Sequence, residues 1–344
     1  MTPPFADAPR LAPSTASFAN IDQVWEACRE DLQALEGQIR CAIDSNAPII
    51  NHAASYLFCS GGKRIRPLLL ILSARLCNER EPQDRLLLLA SAVEYIHTAA
   101  LLHDDVLDDA AMRRGRDTAR LLWGNKASIL VGDYLYAYAL DQVIALGNTA
   151  IQAALAETCR SMVEGEVLQL SHRRNVNISA DDYVKIIDYK TACLISTTCM
   201  LGALLDSTAP AKKAALAQFG RHLGIAFQLS DDALDYSASQ HKLGKALGQD
   251  LYEGKITLPL LHLLSACTRE ERAVVERIIE QGETPAHDLD TILRLMERYQ
   301  SVAYTLEESR RFIALAIEEL RTFPPSPYRD ALEIVADYVV SRDH

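Results

Sequence analysis

Two stretches of the chain repeat one spacing of carboxylates: Asp104-Asp105-x-x-Asp108 in LLHDDVLDDAA and Asp231-Asp232-x-x-Asp235 in FQLSDDALDYS. Residues four apart on a helix share a face, so Asp104 with Asp108, and Asp231 with Asp235, project as paired carboxylates. Both claws lie in strongly apolar segments, where unpaired carboxylates are costly to bury, so the pattern calls for a cation between each pair. The hard, oxygen-seeking ion that suits them is Mg²⁺. A lone acidic cluster is most often a solvated helix face. Two of identical spacing, each behind an apolar run and each followed by spaced basic residues, argue against that reading.

The surrounding cations fit a phosphorylated substrate. Gly61-Gly62-Lys63-Arg64-Ile65-Arg66-Pro67 is a glycine turn that carries cations into a helix start, a segment able to hold a diphosphate by charge and backbone donors. Arg113 and Arg114 follow the first claw and suit the remaining oxygens of a metal-bound phosphate. Lys190-Thr191 lies in DYKTACL, and Lys245, Asp250 and Lys255 follow the second claw in GKALGQDLYEGKITLPL. Taken singly, each is an ordinary surface turn or solvated lysine. His97 precedes Asp104 by two helical turns on the same face, which favours a ligand role over that of a core histidine. His103 reads as a neighbour, and His172, His222, His241 and His262 share no such geometry.

The elements that position these groups read as helices. Apolar residues recur about every 3.6 positions over Val24 to Ile43, Leu68 to Leu76, Leu86 to Leu102 and Ile129 to Val143, whereas strand-like alternation is hard to find. Pro67 in a first turn, Ser179 with Asp182, and Thr268 with Glu271 mark helix starts, and Pro324-Pro325-Ser326-Pro327 marks a turn before a last helix. The expected fold is all-α, a single large multi-helix bundle around a central cavity, with the two claws facing one another across its core. Residues 1–20 read as a loose tail and 21–344 as one domain, since no linker or composition shift divides them.

Composition narrows the function. Apolar residues form 49% and charged residues 24% of the 344, as in ordinary globular proteins. The net charge of −11 and the lack of a basic stripe exclude a nucleic-acid reader. The N-terminus lacks the basic start and apolar stretch of a signal peptide, and no apolar run reaches the roughly 18 residues of a membrane span. The eight cysteines form neither C-x-x-C pairs nor zinc-site spacings with histidine and read as reduced thiols of a cytoplasmic protein.

GGKRIRP, HTAALLHDDVLDDAAMRRG, WGNKASILVGDYLY, GEVLQL, KTA, FQLSDDALDY and GKALGQDLYEGKITLPL, in that order, resemble the trans-isoprenyl diphosphate synthases over roughly residues 20 to 344. The resemblance implies an isoprenoid-synthase fold and a head-to-tail condensation of isopentenyl diphosphate with an allylic diphosphate such as farnesyl diphosphate. It implies that Asp104, Asp108, Asp231 and Asp235 hold Mg²⁺, three ions per site. Six carboxylates and a diphosphate bring about −9 against about +6 from those ions, and cationic side chains supply the difference. Arg113, Lys190, Thr191, Gln228, Lys245 and Lys255 would contact the allylic diphosphate; Lys63, Arg66, His97 and Arg114 would hold isopentenyl diphosphate. Asp104, Asp108, Arg113, Lys190, Asp231 and Lys245 would carry the catalytic step. Asp105, Asp109 and Asp232 read as supporting or solvent-facing partners rather than direct ligands, and Gln169 as facing the site. The family further implies a homodimer.

Ala99 and Ala100, five and four residues before Asp104, stand where short-chain members often carry an aromatic plug. An open tunnel favours a long product of the octaprenyl class, usable as a quinone side chain. The same alanines also fit close helix packing, and Tyr95, Ile96 or Tyr134 could set a nearer floor for a farnesyl or geranylgeranyl product. One departure stands out: after Arg-Arg-Gly the family usually continues Pro-Thr with an Asn shortly after, and this chain has Asp117-Thr118 and Arg120. Of the competing readings, a terpene cyclase would not need Lys63, Arg66 and Arg114. A silent isoprenoid-binding subunit would be expected to have lost an aspartate or lysine, and a di-iron bundle needs inward Glu-x-x-His pairs that the chain lacks.

Overall fold

Helix starts form where local chemistry provides for them. Ser179 accepts a hydrogen bond from the Asp182 amide at 3.0 Å, capping the helix that follows. Thr268 and Glu271 satisfy one another's amides at 3.0 and 3.3 Å in a reciprocal capping box. The computed structural model describes residues 18–59, 62–78, 83–113, 115–206, 208–237, 247–281 and 285–341. Among them the chain is all-α apart from one two-stranded hairpin, β1 (Met112–Arg113) with β2 (Arg116–Asp117), which sequence periodicity did not reveal. Each strand is two residues long, too short to show alternation.

The helices, in chain order, are α1 (Ile21–Ala27), α2 (Arg29–Ala42), α3 (Pro48–Phe58), α4 (Ile65–Cys77), α5 (Gln83–Leu107), α6 (Ala119–Trp123), α7 (Asn125–Ala145) and α8 (Thr149–Ser171). After α9 (Ala180–Ile187) comes a π-helical turn, Asp188–Ala192, then α10 (Cys193–Leu204) and α11 (Pro210–Asp235). The chain continues through α12 (Gln249–Tyr252), α13 (Leu258–Ala266), α14 (Arg269–Gln281), α15 (Ala286–Arg298), α16 (Ser301–Glu319) and α17 (Pro327–Ser341). The expected helix over Val24 to Ile43 is broken at Cys28, whose backbone leaves the helical region at φ −105°, ψ 9°.

The residues group into two compact units. One comprises Met1–Ala156, Thr197–Leu216 and Thr322–Ile334; the other comprises Glu157–Ser196, Ala217–Arg321 and Val335–His344. In the first unit, Leu68 to Leu72 of α4 are all buried, and α5 packs against α4 and most extensively against α7. Helix α5 is long and apolar enough to cross a membrane, but 72% of that stretch is buried inside the protein, as befits a core helix. The second unit gathers Tyr183, Ile187, Leu229, Leu260, Val275 and Ile292 into its own core. Cys28, Cys59, Cys77, Cys159, Cys193, Cys199 and Cys267 are free thiols. Burial pushes Cys28 and Cys199 up to about 12, which leaves them unreactive.

Candidate active site

The first claw stands at the C-terminal end of α5. Asp104 lies in its last turn, and the Asp108 amide bonds the Asp104 carbonyl at 2.9 Å, so the helical spacing carries on past Leu107 and both carboxylates share a face. Both are partly buried, whereas the middle residue, Asp105, is fully so. Asp105 accepts bonds from Arg113 Nε and Nη2, each 2.8 Å from its Oδ1. Burial pushes the Asp105 carboxyl up, and the Arg113 guanidinium opposes that only in part. Thus the middle carboxylate orients Arg113, while the outer two share one helical face. Arg114, expected beside it, lies outside the described residues, as do Lys245 and Gly61.

The chain after the claw reverses at Asp109, which is left-handed at φ 50°. Arg120 spans this turn, bonding the Asp109 carbonyl and Oδ1 at 2.7 Å each. Thr118 Oγ1 donates to the Ala110 carbonyl at 2.7 Å. His97 lies two turns up α5 and is partly buried. In the turn before α4, Lys63 is exposed and Arg66 partly buried, while Arg64 is held among Glu36, Glu94 and the Phe58 carbonyl. Ala99 is fully buried on α5 and Ala100 partly so. One turn further back, Tyr95 is enclosed edge-on by Phe58 and Tyr138, with ring centroids 5.5 and 5.4 Å away.

In the second unit, α11 ends at Asp235, so Asp231 and Asp235 occupy the last helical turn. Asp235 accepts amide bonds from Gln249 at 3.2 Å and Asp250 at 3.0 Å, which ties the claw to the start of α12. Asp232, fully buried, takes the Tyr183 hydroxyl on one oxygen at 2.5 Å and Gln228 Nε2 on the other at 2.8 Å. Gln228 in turn accepts from Thr191 Oγ1 at 3.0 Å, so the claw and the Lys190-Thr191 pair belong to one network. Burial pushes Asp232 up to about 7 and Asp235 up to about 6; in Asp232 the neighbouring charges of Asp231 and Asp235 add to the effect. Burial also raises Asp250. Burial makes these carboxylates costly to charge, and the ligand atoms they offer are all oxygens.

Lys190 and Thr191 ride on the π-helical turn, where one extra residue per turn redirects the side chains, a device frequent at functional sites. Two glycines let neighbouring helices touch it. A Cβ on Gly165 of α8 would lie 2.5 Å from the Lys190 amide nitrogen, and one on Gly224 of α11 would lie 2.5 Å from Ala192 Cα. Arg221 grips Asp188 at the start of the turn with a two-pronged pair at 2.7 and 2.8 Å. The Lys190 ammonium sits on Glu166 and on Gln169 Oε1, and Lys255 pairs with Glu253 at 2.5 Å. Gln169, expected to face the site, thus contacts Lys190.

These donor sets fit Mg²⁺. The ion binds through one or two carboxylates and completes its octahedron with water and substrate phosphate oxygens. Among the described residues no three acidic, histidine or cysteine side chains converge on one point, and the claws offer two carboxylates each.

The profile of the polyprenyl synthetase family matches residues 47–296. Octaprenyl diphosphate synthase of Escherichia coli (strain K12) is 37% identical over 324 residues, covering 94% of this chain and 99% of that protein. The chain belongs to the polyprenyl synthetase family. It is a trans-prenyltransferase of the all-α isoprenoid-synthase fold. Two solved polyprenyl synthases share that fold. The decaprenyl diphosphate synthase of Rhodobacter capsulatus superposes with a TM-score of 0.89 at 38% identity, covering 94% of this chain and 99% of that one. The polyprenyl synthase of Caulobacter crescentus CB15, complexed with calcium and isoprenyl diphosphate, gives 0.89 at 37% identity over 96% and 100%.

Within this polyprenyl synthetase, the departure at Asp117-Thr118 and Arg120 is accommodated locally, since Thr118 and Arg120 themselves close the turn behind the first claw. Sequence reasoning missed Tyr183, Glu166, the Asp188–Arg221 pair and the Arg64 contacts. Glu166 was within reach: it lies three residues before Gln169 in the GEVLQL motif, on the same helical face. Tyr183 and Arg221 lie outside every quoted motif and carry no local signal.

Proposed function

We propose that this polyprenyl synthetase elongates an allylic diphosphate such as farnesyl diphosphate with isopentenyl diphosphate to a long all-trans product of the octaprenyl class, which serves as a quinone side chain. The observation that carries the reading is the pair of carboxylate claws, each embedded in its own hydrogen-bond network, the first through Arg113 and the second through Tyr183, Gln228 and the amides of Gln249 and Asp250. Asp104 and Asp108, and Asp231 and Asp235, hold Mg²⁺, three ions per site. The solved relative with a divalent cation and isoprenyl diphosphate supports that assignment. Bound Mg²⁺ acts as a Lewis acid toward the negative charge that collects on the departing diphosphate.

The side chains do the rest. Arg113, Lys190, Thr191, Gln228, Lys245 and Lys255 bind the allylic diphosphate, and preset cations of this kind stabilise charge as it develops. Lys63, Arg66, His97 and Arg114 hold isopentenyl diphosphate so that its double bond faces the ionising carbon. The allylic carbon–oxygen bond breaks, the new carbon–carbon bond forms, and the released proton passes to pyrophosphate, so no side-chain base is needed. The apolar walls around Ala99 and Ala100 exclude water that would quench the cation.

The enzyme acts in the cytoplasm as a homodimer. Leu121 and Leu122 on α6 and Ile129 and Leu130 on α7, all exposed in the single chain, support pairing through that face. The reading is tested by Mg²⁺ titration of labelled isopentenyl incorporation in the wild type and in Asp104→Asn and Asp231→Asn. Incorporation that needs Mg²⁺ and is lost in both variants is expected; incorporation indifferent to EDTA sinks the metal assignment.

A further inference from the structure

Three cations enter the turn before α4, and a phosphate-binding reading counts them alike. Their surroundings separate them. The Arg64 side chain is only 10% exposed, and all three of its nitrogens are engaged. Nε meets Glu36 Oε1 of α2 at 2.5 Å, Nη1 meets Glu94 Oε2 of α5 at 2.7 Å, and Nη2 meets the Phe58 carbonyl closing α3 at 3.3 Å. Three of its five N–H donors are thus committed to the protein, and a guanidinium so enclosed by two carboxylates and a carbonyl is turned inward rather than toward a substrate.

The backbone at Arg64 is equally particular. Its φ of 47° and ψ of 41° are left-handed, a conformation costly for a residue with a side chain and kept only where the surroundings impose it. The turn has immediate consequences on both sides. The Arg64 carbonyl accepts the Leu68 amide at 3.0 Å, which opens α4 and fixes Arg66 in its first turn. On the other side the Lys63 carbonyl accepts the Trp25 indole at 3.1 Å. Glu94, in turn, lies three residues before His97, one turn away on the same face of α5. One buried guanidinium thus ties the segment bearing Lys63 and Arg66 to the helix bearing His97.

We propose that Arg64 is a positioning residue for isopentenyl diphosphate: its clamp on Glu36 and Glu94 sets the left-handed turn that aims Lys63 and Arg66 and keeps them in register with His97. The inference rests on the assignment of those three residues to isopentenyl diphosphate. It makes Arg64 a cation that never touches the substrate.

Steady-state kinetics with separate Michaelis constants for isopentenyl and farnesyl diphosphate test it, with thermal melts of each variant. Arg64→Gly keeps access to the left-handed backbone but removes the clamp. Arg64→Gln with Glu94→Gln removes the clamp without leaving a buried charge unpaired. Both should raise KM for isopentenyl diphosphate about tenfold, as expected of displaced charge-assisted contacts, and leave KM for farnesyl diphosphate within about twofold; Arg64→Lys, which keeps charge but not the fork, should fall between. Equal rises in both constants, or none, overturn the proposal. Lys63→Ala and Arg66→Ala separate the two layers. If these raise KM for isopentenyl diphosphate and the Arg64 variants do not, only the positioning role falls; if they do not raise it, the assignment beneath falls too. Should the Arg64 variants not fold, Glu36→Gln on the more exposed arm of the clamp decides: a rise of about threefold or more in the isopentenyl constant alone supports the role, and an unchanged constant overturns it.

Discussion

Arg113 sets both Nε and Nη2 2.8 Å from a single oxygen of Asp105, the buried middle carboxylate of the first claw. The middle carboxylate thus serves an arginine, and the proposed metal role falls to Asp104 and Asp108 alone. Asp105→Asn keeps the shape and loses the charge that orients Arg113. Charge-assisted bonds of this kind are worth about 1.5–3 kcal/mol, so KM for the allylic diphosphate should rise about tenfold or more. The Mg²⁺ concentration for half-maximal rate should move little. A loss of Mg²⁺ affinity matching that of Asp104→Asn would show Asp105 to be a metal ligand instead.

The π-helical turn makes a steric prediction. A methyl group at position 224 would collide with Ala192 Cα at 2.5 Å, so Gly224→Ala must displace the turn that carries Lys190 and Thr191. Overpacking of this kind costs about 1–3 kcal/mol of stability. Thermal melts should show that loss, and KM for the allylic diphosphate should rise more than KM for isopentenyl diphosphate. A destabilised variant with both constants unchanged would separate the turn from substrate binding.

The second claw predicts a pH dependence in EDTA. Burial raises Asp232 to about 7 and Asp235 to about 6, against an ordinary value of 3.8. The folded state thus holds protons that the unfolded chain releases, and stability falls as pH rises from about 4 to 7. Urea midpoints of metal-free protein should favour the Asp232→Asn variant over wild type more strongly at pH 8 than at pH 5. Mg²⁺ competes with those protons, so its stabilising shift should be larger at pH 8. An equal shift at both pH values would contradict this.

Ala100, partly buried one turn before Asp104, is the milder place to test the tunnel. Ala100→Phe should shorten the product by several isoprene units while leaving total isopentenyl turnover per enzyme within about tenfold, since a ring there spans roughly one 5.4 Å helical turn. Unchanged product length would move the floor to the Tyr95, Phe58 and Tyr138 cluster.

What could be read from the sequence follows from how local each signal is. The claws, Lys190-Thr191 and the glycine turn are contiguous patterns, and the helices around them announce themselves by periodicity and by caps such as Ser179 and Thr268. The partners that hold them come from far along the chain: Tyr183 bonds Asp232 across 49 residues and Arg221 bonds Asp188 across 33, separations that leave no spacing to recognise. Arg64 illustrates the other limit. Its type matched its neighbours Lys63 and Arg66, and only the left-handed backbone and the two glutamates distinguish its role.

The most direct test of the account is product analysis of the purified enzyme with Mg²⁺, labelled isopentenyl diphosphate and farnesyl diphosphate, with chain lengths resolved after dephosphorylation. The account predicts Mg²⁺-dependent products centred on eight isoprene units. A stop at four units would contradict the open tunnel, and no elongation of any allylic primer would contradict the synthase itself.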